Sequence, residues 1–124
     1  MKLALKQNCF TTKQSVEIEL SDNWQVSHCT MKADNKEVLS DTQLVRVIDN
    51  PLGVVSIEQL AEGKKEVVIV FDDMSRATPC QKIAQIVLDK LQKAGVERNH
   101  IRFVCATGSH MGLKRSDFVK KLGE

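Results

Sequence analysis

Tyrosine is missing from this chain, tryptophan occurs once, and four phenylalanines complete its aromatic content. So few aromatic faces argue against a surface on which nucleic-acid bases stack. Charge of one sign is also lacking in excess. Eighteen Lys and Arg against 16 Asp and Glu leave +2, which gives no electrostatic footprint for nucleic acid or an anionic membrane. No apolar run approaches the ~20 residues of a membrane span, and the opening MKLALKQNCF lacks the long apolar core of a signal peptide. The expectation is a cytoplasmic protein with no nucleic-acid or membrane partner. Cys9, Cys29, Cys80 and Cys105 are scattered without a Cys-x-x-Cys pair, so neither a zinc knuckle nor a dithiol redox motif is indicated and free thiols are expected. At 124 residues the length is that of a single domain, and no repeat or low-complexity segment divides it.

What is present is organised around residues 65–81, KEVVIVFDDMSRATPCQ. Val67 to Phe71 is an unbroken apolar run of good β-formers, the pattern of a parallel strand buried on both faces. It ends in charge at Asp72 and Asp73, and a polar segment with Ser75, Arg76 and Thr78 follows. Pro79 then opens a helix, which Thr78 is expected to cap while Pro79 takes its first position. Ile83, Ile86, Val87, Leu91 and Ala94 repeat at the spacing of one helical face. Gly95 stops that helix, and residues 101–105 read as another strand. The predicted fold class is α/β: a mostly parallel sheet with a Rossmann-like βαβ unit, strands at about 66–71 and 101–105 and a helix at about 79–94, preceded by N-terminal β-strands. Residues 3–5 and 16–20 are those strands, the second with one buried face. Residues 25–31, with His28, form a further strand candidate, and Trp24 is expected to plug the core. Ser40–Gln43 and Ser56–Gln59 have the Ser-x-x-Gln form of capping boxes. They open two short helices carrying Leu44, Val47 and Ile48, then Ile57, Leu60 and Ala61.

Parallel strands joined by a helix finish at the same sheet edge. The loop with Asp72, Asp73, Ser75 and Arg76 is therefore expected beside Thr107, Gly108, Ser109 and His110, at the edge where open α/β sheets bind ligands. An imidazole that titrates near neutrality, a fork-shaped cation suited to a carboxylate, and an acid to orient them make a reasonable site. Other readings stay open. Two acids after an apolar strand also fit a magnesium site of the nucleotide-hydrolase kind, although no Gly-x-x-x-x-Gly-Lys-[Ser/Thr] loop is present to hold phosphates. The acids could be solvated and His110 a surface histidine. Cys80 in a first helical turn, where the helix terminus lowers a thiol pKa, allows a thiol enzyme working with His110. A non-catalytic module binding an anion or nucleotide at Asp73, Arg76 and His110 is the remaining alternative.

Asp73-Met74-Ser75-Arg76-Ala77-Thr78-Pro79 after an apolar strand, with Ala106-Thr107-Gly108-Ser109-His110 some thirty residues on, resembles the nickel-dependent lactate racemase family. Its usual motifs there are Asp-x-Thr-Arg-Pro-Thr-Pro and Gly-Thr-His-Arg. The resemblance covers Ile57 to Glu124, and more loosely Val16 to Trp24. It implies interconversion of the stereoisomers of a 2-hydroxy acid by hydride transfer to a nickel-pincer nucleotide tethered through a lysine. Arg76 would bind the substrate carboxylate through paired hydrogen bonds, and His110 would be one of two acid/base histidines. Asp73 would orient Arg76 or touch the cofactor. Ser75, Thr78, Thr107, Gly108 and Ser109 complete the substrate- and cofactor-binding loops. Ala77, Ser75 and Met111 depart from the motifs. The family's second histidine, its cofactor-bearing lysine and its nickel ligand come from chain beyond Glu124, so no metal ligand is expected within these residues. The chain is accordingly expected to be one α/β domain, the N-terminal fragment of a longer enzyme, and not to racemise on its own.

Overall fold

The computed structural model describes residues 1–7, 9–12, 14–34 and 36–124. Strand β1 (Lys2–Lys6) pairs antiparallel with β2 (Ser15–Glu19), with Leu3 opposite Ile18. Two helices follow, α1 (Asp41–Asp49) and α2 (Ile57–Ala61). Both begin where the Ser-x-x-Gln pattern places them: the Ser40 and Ser56 hydroxyls accept the Gln43 and Gln59 backbone N–H groups, and each glutamine side chain accepts the serine N–H in return. Such reciprocal caps satisfy donors that the first helical turn would otherwise leave unpaired.

The second half is strand β3 (Val67–Asp72), helix α3 (Cys80–Lys93), a one-turn 3-10 helix at Arg98–His100, strand β4 (Ile101–Ala106) and helix α4 (Arg115–Leu122). Strands β3 and β4 are parallel neighbours, with Val67 opposite Ile101 and Asp72 opposite Ala106. Helix α3 turns Leu91, Ala84 and Val87 inward. Leu91, Ala61 and Val96 are buried together, with Ile57, Val67, Ile69 and Ile101 packed around them. Toward the other end Phe71 meets Phe103 and Phe118 edge-to-face, at 6.3 and 5.3 Å between centroids, a geometry in which ring edge faces ring quadrupole. Lys90 runs under α1 and α2 to pair with Asp49 and, at 3.0 Å, with Glu58. The hydrogen bonds that it donates to Asp49 first and then Glu58 raise its pKa.

The architecture is mixed α/β, and several expectations need correction. Among the described residues there is no single mostly parallel sheet but two two-stranded sheets, one antiparallel and one parallel. Strand β3 is not buried on both faces. Val68 and Val70 are 55% and 65% exposed, because α3 covers one side of the pair and no described element covers the other. Residues 25–31 form no strand, and His28 is exposed. Trp24 is 63% exposed: it ends a turn closed by its own N–H to the Ser21 carbonyl, and β1 and β2 pack mainly on each other. Burial on β2 is shallow, with only Ile18 turned inward. No helix among the described residues is long and apolar enough to cross a membrane.

Candidate functional site

The parallel register brings the ends of β3 and β4 side by side, and the loops that leave them touch. After β4 the chain turns on Gly108, whose φ of +57° lies in the left-handed region that glycine enters without steric cost. The turn closes with the His110 N–H on the Thr107 carbonyl, at 2.9 Å. His110 is thereby folded back onto the β3 loop, where its Nδ1 lies 2.5 Å from Asp73 Oδ2. The other Asp73 oxygen accepts from the Ser75 backbone N–H at 2.9 Å and from the Ser75 hydroxyl at 2.6 Å. These contacts, those of Ser75 first and then His110, pull the Asp73 carboxyl from 3.8 down to about 2. Near neutral pH it is an ionised acceptor, so the shared proton resides on His110 Nδ1. The opposite ring nitrogen, Nε2, has no hydrogen-bond partner among the described residues, and the side chain is 58% exposed.

Arg76 leaves the same loop exposed, and among the described residues its guanidinium has no hydrogen-bond or ion-pair partner. Its backbone is fixed instead, with the N–H on the Asp73 carbonyl at 3.3 Å. Asp72 points elsewhere. It accepts from the Thr78 hydroxyl, the Cys80 thiol at 3.5 Å and the Lys121 ammonium at 2.9 Å. Burial opposes its charge, but the bonds from Thr78 and Lys121 outweigh that and hold the carboxyl below its usual range. Thr78 does not cap α3: its hydroxyl donates to Asp72 and accepts no helix N–H, and Pro79 stands just outside a helix that begins at Cys80. The structure thus joins Asp73, Ser75 and His110 directly, with Arg76 beside them. Thr78 lies with Asp72 on a cleft toward Phe71 and Ala84, Thr107 contributes a carbonyl, and Ser109 is exposed with no hydrogen bond to the other members among the described residues.

Cys80 does not behave as a helix-terminus thiolate. It is buried, its contact is Asp72 and not His110, and burial followed by the Asp72 charge raises its pKa. The residue that pattern reading missed is Lys121, fully buried and bonded to the backbone of the same loop.

The family model for the lactate racemase N-terminal domain matches residues 11–124. The chain belongs to that family. Lactate racemases of Thermoanaerobacterium thermosaccharolyticum and Lactiplantibacillus plantarum are each 31% identical to it over 114 residues, 90% of this chain. The alignments cover 26% and 27% of those proteins, so this lactate racemase N-terminal domain spans about a quarter of their length. The structure of the lactate racemase apoprotein from T. thermosaccharolyticum superposes over 100% of this chain and 27% of its own, with a TM-score of 0.63 and 25% identity. As for the cofactor that the resemblance implies, no cluster of three or more His, Cys, Asp or Glu suited to a metal stands among the described residues. The lysine at the racemase-domain loop, Lys121, is buried and fully engaged, so it cannot serve as a tether. The described residues thus offer that group neither a metal-ligand cluster nor a tether at Lys121.

Proposed function

We propose that these residues form the N-terminal α/β domain of a longer, cytoplasmic lactate racemase-like enzyme that interconverts stereoisomers of a 2-hydroxy acid. In it the βαβ unit is one part of a larger Rossmann-like sheet, and the rest of the chain closes the site. The observation that carries the reading is the 2.5 Å contact between Asp73 and His110, three residues along the chain from an exposed Arg76 that has no side-chain partner among the described residues. Arg76 receives the substrate carboxylate in a two-pronged grip. His110, its Nδ1 proton held by Asp73, offers Nε2 to the substrate hydroxyl and takes its proton as the C2–H bond breaks. Asp73 keeps the ring in that tautomer and stabilises the imidazolium that results. A nickel-pincer nucleotide, held by chain outside these residues, would supply the acceptor for the C2 hydride. Inversion also needs an acid/base group on the opposite face, which is expected from the remaining chain.

The test is racemisation of lactate by the full-length protein, followed by chiral chromatography. Arg76→Lys keeps the charge but loses the fork, and KM is expected to rise roughly 10- to 100-fold, the equivalent of one charged hydrogen bond of about 1.5–3 kcal/mol. His110→Ala is expected to lower kcat by about 10²–10⁴. A His110→Ala enzyme with undiminished kcat would remove the acid/base assignment. Saturable carboxylate binding through Arg76 without turnover, in the full-length protein loaded in its native cells, would leave a binding module.

A further inference from the structure

Lys121 is the largest fully buried side chain among the described residues. An ammonium has three protons to donate, and three acceptors surround it: Asp72 Oδ1 at 2.9 Å, the Asp73 carbonyl at 3.0 Å and the Arg76 carbonyl at 2.7 Å. The Phe10 ring lies 4.7 Å from the same nitrogen, within reach of a cation–π contact. The acceptors belong to the last residue of β3 and the loop that follows it, whereas Lys121 stands on α4, the element that follows the His110 turn. Phe10 secures the loop a second time, through its N–H on the Met74 carbonyl at 3.1 Å. A hydrocarbon side chain could fill the space, but it would take the ammonium from the Asp72 carboxylate, leave the Asp73 carbonyl with only the long Arg76 N–H contact and strip the Arg76 carbonyl of its donor, and buried unpaired polar groups are costly.

We infer that Lys121 is a positioning residue for the reaction proposed above, on which this role rests. Its ammonium sets the backbone of Asp73 and Arg76 against the helix that trails His110. The carboxylate grip and the acid/base imidazole, which come from two different loops, are thereby held at one spacing. Lys121 itself touches no substrate. Its loss acts through Arg76, so the affinity for the carboxylate suffers more than the fraction of folded enzyme.

The experiment compares the full-length protein with its Lys121→Met and Lys121→Gln variants by amide hydrogen exchange and by KM and kcat for lactate. Methionine removes the charge and all three donors at similar length, while glutamine retains a shorter donor. In Lys121→Met, exchange across residues 73–78 is expected to accelerate about 10- to 100-fold, as befits the loss of one or two buried hydrogen bonds. Exchange in α3 stays at the wild-type rate, KM rises by about tenfold or more, and kcat falls less. Lys121→Gln falls between the two. Unchanged loop exchange and KM would overturn the assignment. So would equal loosening of α3 and the loop in both variants, which would make Lys121 a general stabiliser. If wild-type protein racemises no 2-hydroxy acid, the racemase reading and the positioning role in that reaction fall together, while loop-confined exchange would still show Lys121 as the loop's anchor.

Discussion

Asp73 carries the pH dependence of the site. Its carboxyl is drawn from 3.8 to about 2 by Ser75 and His110, so the folded state prefers the ionised form more strongly than the unfolded chain does. That preference stabilises the fold fully above the unfolded value and is lost as pH falls from about 4 through about 2. Asp72, lowered against its own burial by Thr78 and Lys121, acts in the same sense. Thermal unfolding of wild type and Asp73→Asn should therefore converge on acidification: the variant is the less stable at neutral pH, and the gap closes toward pH 2. A gap that stays constant over that range would mean that Asp73 titrates normally. At this scale the sequence was informative about groups that must meet. Asp73, Arg76 and His110 could be placed together because parallel strands end on one edge, and the βαβ spacing makes the strands parallel. Lys121 was not legible, because a lysine on a short amphipathic helix carries the same one-dimensional signal whether it faces water or a ring of carbonyls. Thr78 misled for a related reason. A hydroxyl before Pro79 looks like a cap, but this one donates to the half-buried carboxylate six residues earlier and accepts no helix N–H.

Among the elements, those with local causes were read correctly. The capping boxes of α1 and α2 and the apolar stripe of α3 need only neighbours within a few residues, and all three formed where the pattern put them. The failures lie where an element depends on a distant partner, as a strand at residues 25–31 would have. Helix α4 shows how an element's end can serve the site. It stops at Gly123, with φ +89° and ψ −176°, a region that is essentially glycine's alone. A Cβ there would also lie 2.9 Å from the Gln81 amide nitrogen, but that side chain is flexible and can yield. Backbone strain is the larger effect, so Gly123→Ala should cost about 1–3 kcal/mol by urea unfolding. If the protein relieves the strain by unwinding the last turn of α4, Lys121 is displaced, and faster exchange at residues 73–78 should accompany the loss. A variant as stable as wild type would mean that this turn is free to re-form.

At the scale of the whole molecule, the parallel pair leaves an apolar face that no described element covers. Val68, Val70 and Val104 are 55%, 65% and 48% exposed, whereas parallel strands in folded proteins are covered on both faces. The sequence pattern of β3, apolar at every position from Val67 to Phe71, is that of a strand covered on both sides, and in this respect the sequence says more than the described residues satisfy among themselves. The chain spans about a quarter of the lactate racemases it matches, and in the proposed full-length enzyme the remaining chain supplies the cover. Val70→Lys separates the possibilities. On an open face a lysine is solvated and the change should stay within about 0.5 kcal/mol. Under a cover it places a charge without a partner in an apolar layer, and the full-length protein should lose several kcal/mol, of order 3 or more. Urea unfolding of the full-length protein reads this directly. A small loss would mean that the sheet ends in solvent and that the site at its edge is closed by some other part of the enzyme.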